Sequence, residues 1–255
     1  WAWRRGRIKK IARRVDRLAV VFPFEASLYA GSGARAEFVG HPLLDRVRAT
    51  RGRTETLARH GLDPHKRLIT LLPGSRKKEM QLILPPMADA AERLLRRGDV
   101  QCALALADTL SPDDVAATMA GRALPATIVA GDTYELVHAS ELALVASGTA
   151  TLETALLERP MVIVYRANAL TFALARRLVS VPFIGMPNLI AGKAVVPELM
   201  QEAATGERIA AAATAFLDDP GRRAATTAEL AGLRRLLGGG GAARKAAAIA
   251  AEMLA

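Results

Sequence analysis

The chain of 255 residues is poor in several groups on which whole function classes depend. It holds one cysteine, Cys102, which excludes an internal disulfide framework and any cysteine-rich zinc site. Aromatic residues make up 4% of it, too few for a paratope or for a platform that stacks single-stranded bases. No run of about 18 uncharged apolar residues occurs, so no membrane-spanning helix is predicted. Residues 1–14 lack the apolar segment and the small-residue cleavage site of a signal peptide.

Chemical motifs are missing too. There is no Walker-type phosphate loop, and no G-x-G-x-x-G follows a predicted strand, which argues against a dinucleotide oxidoreductase. No D-x-D suggests a carboxylate clamp for a metal-bound nucleotide sugar. His41, His60, His65 and His138 are scattered without metal-ligand spacing, and His41 reads as a turn residue more than as a catalyst. No G-x-S-x-G elbow is present. Acidic residues are also absent before Asp16, while Arg4, Arg5, Arg7, Lys9, Lys10, Arg13 and Arg14 crowd the first fourteen positions. Much of the net charge of +10 therefore sits at one end, which suggests an anionic partner surface, membrane or nucleic acid.

What is present reads as a globular α/β chain, 51% hydrophobic and 24% charged. Ile8, Ile11, Ala12 and Val15 mark one helical face. A short strand at 18–22, a helix at 25–30 and a strand stub at 38–39 follow. After a polar stretch from 51 to 66, strands are predicted at 68–72, 101–107, 126–130, 142–146 and 161–165. Between and after them fall helices at 79–97, from Ser111, at 133–139, at 150–158 and at 170–179. Pro85 and Pro86 predict a break or kink in the first of these. Short apolar strands alternating with longer helices mean βαβ units and a parallel sheet. Three helices close the chain, at 207–217, 221–237 and 242–254, and Gly238 to Gly241 reads as a flexible joint between the last two.

In such sheets ligands bind at the carboxyl ends of the strands. Two loops there carry suitable residues. In Leu72-Pro73-Gly74-Ser75-Arg76, Gly74 admits close backbone approach, Ser75 offers a hydroxyl and Arg76 a permanent forked charge for phosphate. An ordinary βα turn with a surface arginine has the same sequence. In Ala146-Ser147-Gly148-Thr149 the loop opens a helix, whose free N–H groups and dipole attract an anion. Glu153, one turn beyond Thr149, is suited to accept hydrogen bonds from a ribose diol. Phosphate at the helix start with ribose one turn in suggests a nucleoside diphosphate. A capped helix with an exposed glutamate remains the plain alternative.

Six segments then occur in one order: Trp1-Ala2-Trp3-Arg4, Phe22-Pro23-Phe24-Glu25, Val39-Gly40-His41-Pro42, Leu72 to Arg76, Ala146 to Ala150, and Pro187-Asn188-Leu189-Ile190-Ala191-Gly192. The series resembles the lipid-A-disaccharide synthase family, inverting glycosyltransferases of the GT-B fold, from residue 1 to roughly 205. The resemblance implies transfer of 2,3-diacylglucosamine from UDP-2,3-diacylglucosamine to 2,3-diacylglucosamine 1-phosphate (lipid X), with release of UDP. It implies no cofactor and no bound metal. It gives the diphosphate to Ser147, Gly148 and Thr149, the ribose to Glu153, and charge stabilisation on the leaving diphosphate to Arg76, with Gly74 and Ser75 beside it. It offers backbone from Val129 through Gly131 to Asp132 as a uracil contact, and Tyr165, Arg166, Asn188 and Gln201 near the sugar or diphosphate.

The resemblance also implies domains. Residues 1–42 would be the last elements of an acceptor-side half, 43–205 a Rossmann-like UDP-sugar domain and 206–255 C-terminal helices. The family's general base, an aspartate of the acceptor-side half, has no match here. With Trp1 at the start, this reads as a truncation that binds UDP weakly and does not turn over. The implied setting is the cytoplasmic face of the inner membrane, with the basic segment on lipid headgroups, no nucleic acid and room for a homodimer. Competing readings are another UDP-sugar GT-B enzyme, such as the peptidoglycan N-acetylglucosaminyltransferase or a UDP-sugar 2-epimerase, a non-catalytic nucleotide-binding or membrane-surface module, and a nucleic-acid binder.

Overall fold

The computed structural model describes residues 6–168 and 182–254. Six parallel strands form the main sheet: β3 Arg67–Leu72, β4 Val100–Leu106, β5 Thr127–Ala130, β6 Leu142–Ala146, β7 Met161–Tyr165 and β8 Glu198–Met200. Their order across the sheet is β5-β4-β3-β6-β7-β8. Counted from β3, this is the doubly wound order three-two-one-four-five-six, in which the chain reverses direction between its first and fourth strands. The reversal falls between β3 and β6, which pair in the register Ile69↔Leu142 to Leu72↔Val145.

Both faces are covered, which explains why the strands are nearly unbroken apolar runs. Along β3 the side chains alternate. Ile69 and Leu71 enter one core with Met80, Ile83, Met87 and Phe216. Leu68 and Leu72 enter the other with Leu57, Leu136, Leu152 and Leu230. The first core is roofed by α5 Lys77–Leu95 and by α10 Gly206–Leu217, which pack on each other. The second is roofed by α7 Thr133–Ala139, α8 Thr149–Leu156 and α11 Pro220–Leu236. The closing helices thus grip both faces of the sheet. On α10, Gly206 lies so close to Asp89 of α5 that no side chain would fit there.

Five of these strands fall within one residue of the sequence reading, and α7 agrees with it at both ends. Four points differ. α5 runs through Pro85 and Pro86 without a break. The two prolines free the carbonyls of Gln81 and Leu82, both on exposed residues where water can take the bonds, while Pro86 is buried with Leu84 and Met87. The polar stretch from 51 to 66 contains α4 Arg53–Arg59, held by the buried Thr56 and Leu57, too few apolar positions to show a period. β8 and α9 Met186–Ala191 gave no sequence signal, being three and six residues long. Gly238 to Gly241 is a packed turn instead of a flexible joint. All four glycines have positive φ, and Gly238 faces Gly40 and Phe38 so closely that a Cβ would sit 3.1 Å from both. His41 N–H donates to the Leu237 carbonyl at 3.0 Å and Gly241 N–H to the Asp45 carboxylate at 3.0 Å. The helix expected at 170–179 lies outside the described residues, as do Trp1, Trp3, Arg4 and Arg5.

The N-terminal segment is built differently. α1 Gly6–Ala12 and α2 Pro23–Tyr29 accompany a separate two-stranded parallel sheet, β1 Arg17–Val20 with β2 Arg35–Phe38. α1 stops short of Val15, which is exposed. The chain then crosses through α3 Leu43–Arg46 into α4. The last helix, α12 Ala242–Leu254, returns to β1, where Arg17 bridges Glu252 at 3.2 Å and pairs also with Glu37.

Candidate functional site

The loops that follow β3 and β6 meet at the topological reversal and line one cleft of about 580 Å³. Gly74, Ser75 and Arg76 come from the first loop, Ser147, Gly148 and Thr149 from the second, and Glu153 from α8. Gly131, Thr133, Tyr134 and Glu135 close it from the β5–α7 side, and Asp108 from beyond β4. Seven sequence candidates from separate segments are thereby brought together with Gly131.

The first loop is shaped by a glutamate. Gly74 has φ +109°, and a Cβ there would collide with the Glu79 carboxylate. Glu79 Oε2 accepts the Ser75 N–H at 3.3 Å, and Thr109 Oγ1 donates to the Ser75 carbonyl at 2.5 Å. This holds the backbone so that Arg76 is exposed at the mouth of the cleft. Its guanidinium makes no ion pair among the described residues, so its full charge is open to a ligand.

The second loop presents a helix start. Ser147 N–H is bonded to the Val164 carbonyl at 3.0 Å, and Ser147 Oγ donates to the Ile184 carbonyl at 3.1 Å. Thr151 Oγ1 donates to the Gly148 carbonyl at 2.7 Å. These bonds pin the loop by its other groups. The N–H groups of Gly148, Thr149 and Ala150 have no acceptor among the described residues, and α8 puts the positive end of its dipole there. Such an end is a ready anion site.

Glu153 lies one turn in, half-buried. Tyr134 Oη donates to Glu153 Oε1 at 2.9 Å. Burial, followed by the neighbouring carboxylate, pushes the Tyr134 phenol up to about 12. Tyr134, Glu79 and Asp108 were not singled out from sequence. The signal for Tyr134 was its place just past the carboxyl end of β5. Glu79 stands four residues after Ser75, a helix-start spacing.

The remaining candidates stand elsewhere. Val129 is buried in β5 and its side chain belongs to the second core. Asp132 adjoins the cleft but faces away into a cationic cluster, Arg51 at 2.5 Å, His60 at 3.0 Å and Arg59 at 3.1 Å. Burial works to raise its pKa, but hydrogen bonding and charge from Arg51, with His60 and Arg59, hold it below the ordinary carboxylate value. Asn188 is buried and organises the 184–198 turn. Its amide nitrogen donates to the Val196 carbonyl and to Glu198, and its amide oxygen accepts from Val195 and Val196 N–H. Glu198 also accepts the N–H groups of Ile184 and Gly185. Tyr165, Arg166 and Gln201 gather at the carboxyl ends of β7 and β8, where Gln201 exchanges hydrogen bonds with the Ala167 backbone and accepts from Arg166 on its carbonyl. Among the described residues no cluster of three or more His, Cys, Asp or Glu could hold a metal ion.

The likeness to solved structures is one of fold. WaaG, a glycosyltransferase involved in lipopolysaccharide biosynthesis, superposes with a TM-score of 0.53 at 13% identity over 88% of this chain and 63% of that one. The Anabaena protein HepE, solved with UDP-glucose, gives 0.53 at 10% identity over 91% and 62%. The calicheamicin glycosyltransferase CalG4 gives 0.52 at 17% identity over 85% and 47%. These neighbours share the GT-B fold. In sequence the chain is 46% identical over 221 residues to the lipid-A-disaccharide synthase of Geobacter sulfurreducens, covering 86% of this chain and 58% of the relative. It is 47% identical over 234 residues to that of Syntrophus aciditrophicus, covering 91% and 61%. The chain thus spans about three-fifths of the length of the curated relatives it matches. The family model described as lipid-A-disaccharide synthetase matches residues 1–253. A doubly wound sheet of GT-B type, a cleft at its reversal and a family match along almost the whole sequence agree, and the chain belongs to the lipid-A-disaccharide synthetase family.

Proposed function

We propose that this chain carries the nucleotide-sugar site of a lipid-A-disaccharide synthase and takes the UDP portion of UDP-2,3-diacylglucosamine. The observation that carries the reading is the convergence, in one cleft, of the open start of α8, the unpaired Arg76 and the Glu153 carboxylate. A diphosphate suits the amides of Gly148, Thr149 and Ala150. A ribose attached to it reaches Glu153, and the base extends towards Gly131.

For the full-length protein the proposed reaction transfers the 2,3-diacylglucosaminyl group to the 6-hydroxyl of 2,3-diacylglucosamine 1-phosphate. The acceptor oxygen attacks the anomeric carbon from the face opposite UDP and loses its proton to a base of the acceptor-side half. The bond from the anomeric carbon to the UDP oxygen breaks, and the configuration inverts. Negative charge grows on the departing diphosphate, and Arg76 and the start of α8, which line the same cleft, would offset it.

The reading extends to the setting. Residues 6–42 belong with the acceptor-side half, a division supported by their separate β1–β2 sheet. Peripheral attachment to the cytoplasmic face of the inner membrane is supported by the basic first segment. There Arg7, Lys10 and Arg14 surround Ile11 and Val15 in a shallow depression, and each basic group near an anionic membrane contributes about 1 kcal/mol.

The test is calorimetric titration of the full chain with UDP. Wild type binds, and Glu153→Ala weakens binding by about tenfold or more, since a hydrogen bond to a charged group is lost. Absence of binding by wild type overturns the reading.

A further inference from the structure

Tyr134 has no place in the reading so far, and its bond to Glu153 bridges two elements. Tyr134 comes from the first turn of α7, after β5, and Glu153 from α8, after β6. The tyrosine ring is half-buried against the second core, packed beside the apolar residues under α7 and α8. Tyr134 lines the cleft, and its hydroxyl donates to Glu153 Oε1 at 2.9 Å. Glu153 Oε2 has no partner among the described residues.

A glutamate on a helix surface samples several rotamers, and only some aim its carboxylate along the cleft. A phenol fixed by its ring can accept or donate from one place alone. Donating to one carboxylate oxygen, it favours one rotamer and leaves the other oxygen unbonded among the described residues. We propose that Tyr134 is a positioning residue that holds Glu153 ready for the ribose hydroxyls of the nucleotide, and so sets the preference for a ribonucleoside diphosphate over one lacking the diol. The proposal rests on the UDP reading above.

Three features favour this over a merely structural bond. The pair lies in the lining of the cleft, not beneath it. The hydrogen bond joins the two βα units on either side of β3, the strand at which the chain reverses. Removal of the hydroxyl leaves the packed ring in place, so the fold does not depend on it.

The experiment titrates the full chain with UDP and with 2′,3′-dideoxy-UDP, for wild type, Tyr134→Phe, Glu153→Gln and the double variant. Wild type is expected to favour UDP by about tenfold, the weight of a hydrogen bond to a charged acceptor. Tyr134→Phe is expected to lose roughly three- to tenfold for UDP and nothing for the dideoxy compound. In the double variant the two losses for UDP are expected not to add, because one residue acts through the other. Equal loss for both ligands, or an unchanged preference in Tyr134→Phe, overturns the positioning role while leaving UDP binding intact. Failure of wild type to bind either ligand overturns the UDP reading and the inference with it. Thermal melts of each variant confirm the fold, and a Tyr134→Phe melt well below wild type overturns the claim that the hydroxyl is free of structural duty.

Discussion

The two sheets of this protein obey the same hydrogen-bonding rules and differ in almost everything else. The six-stranded sheet is covered on both faces, and β6 is buried from Leu142 to Ala146 without exception. The two-stranded sheet has little beneath it. Between residues 6 and 38 only Val20 and Tyr29 are buried. A two-stranded pair is marginal alone in water. This one leans on α12, on the Arg17 bridges to Glu37 and Glu252, and on the Gly238–Gly241 turn against Phe38 and Gly40. The contrast shows that strand pairing alone does not make a stable layer. The amount of apolar surface taken from water decides it, at about 25 cal/mol per Å².

The comparison can be broken or sharpened by experiment. Leu144, fully buried in β6, is at the strong end. Leu144→Ala is expected to cost about 2–5 kcal/mol in urea denaturation, as large-to-small changes in cores do. A cost near zero would break the contrast.

The Asp132 cluster ties the polar 51–60 stretch to the six-stranded domain. The pKa of Asp132 is lowered in the folded state, so its contribution is present above the unfolded value near 4 and is lost as pH falls through the folded value. Between pH of about 5 and 2, wild type is expected to lose about 2–4 °C more in Tm than Asp132→Asn. Parallel pH curves would show that the cluster adds nothing.

Leu18, half-exposed in β1, is at the weak end. Leu18→Ala is expected to cost about 1–2 kcal/mol, less than Leu144→Ala, because Leu18 is only partly buried and its surroundings can close over the space. A loss as large as that at Leu144 would mean that the two sheets fold as one cooperative unit.

Much of this architecture was legible beforehand. Buried strands such as 142–146 announce themselves because both faces require apolar side chains over a short run. The helix at 112–119 announces its start through Ser111, whose hydroxyl accepts the Asp114 N–H while Asp114 accepts the Ser111 N–H. The six ordered segments identified the family, because they occur in one order with consistent spacing along the chain. Other features left no local trace. α4 holds its place through Thr56 and Leu57 alone. β8 pairs with β7 over three residues at the sheet edge. Asn188 has the composition of a ligand-binding residue and is given by the structure a buried set of bonds to 195–198.

The sequence by itself determined the parallel α/β class, five strands of the main sheet, the two loops of the cleft and the family. Each depends on residues near one another in the chain: an apolar run, a glycine before a helix, a spacing of four. Only the tertiary structure decided which strand lies beside which, and so that Gly74–Arg76 and Ser147–Thr149 face one cleft. It also decided that Tyr134 reaches Glu153, that Asp132 turns to Arg51, and that four glycines form a packed turn. Those outcomes depend on contacts between residues far apart in sequence, whose free energy exists only once the sheet has brought them together.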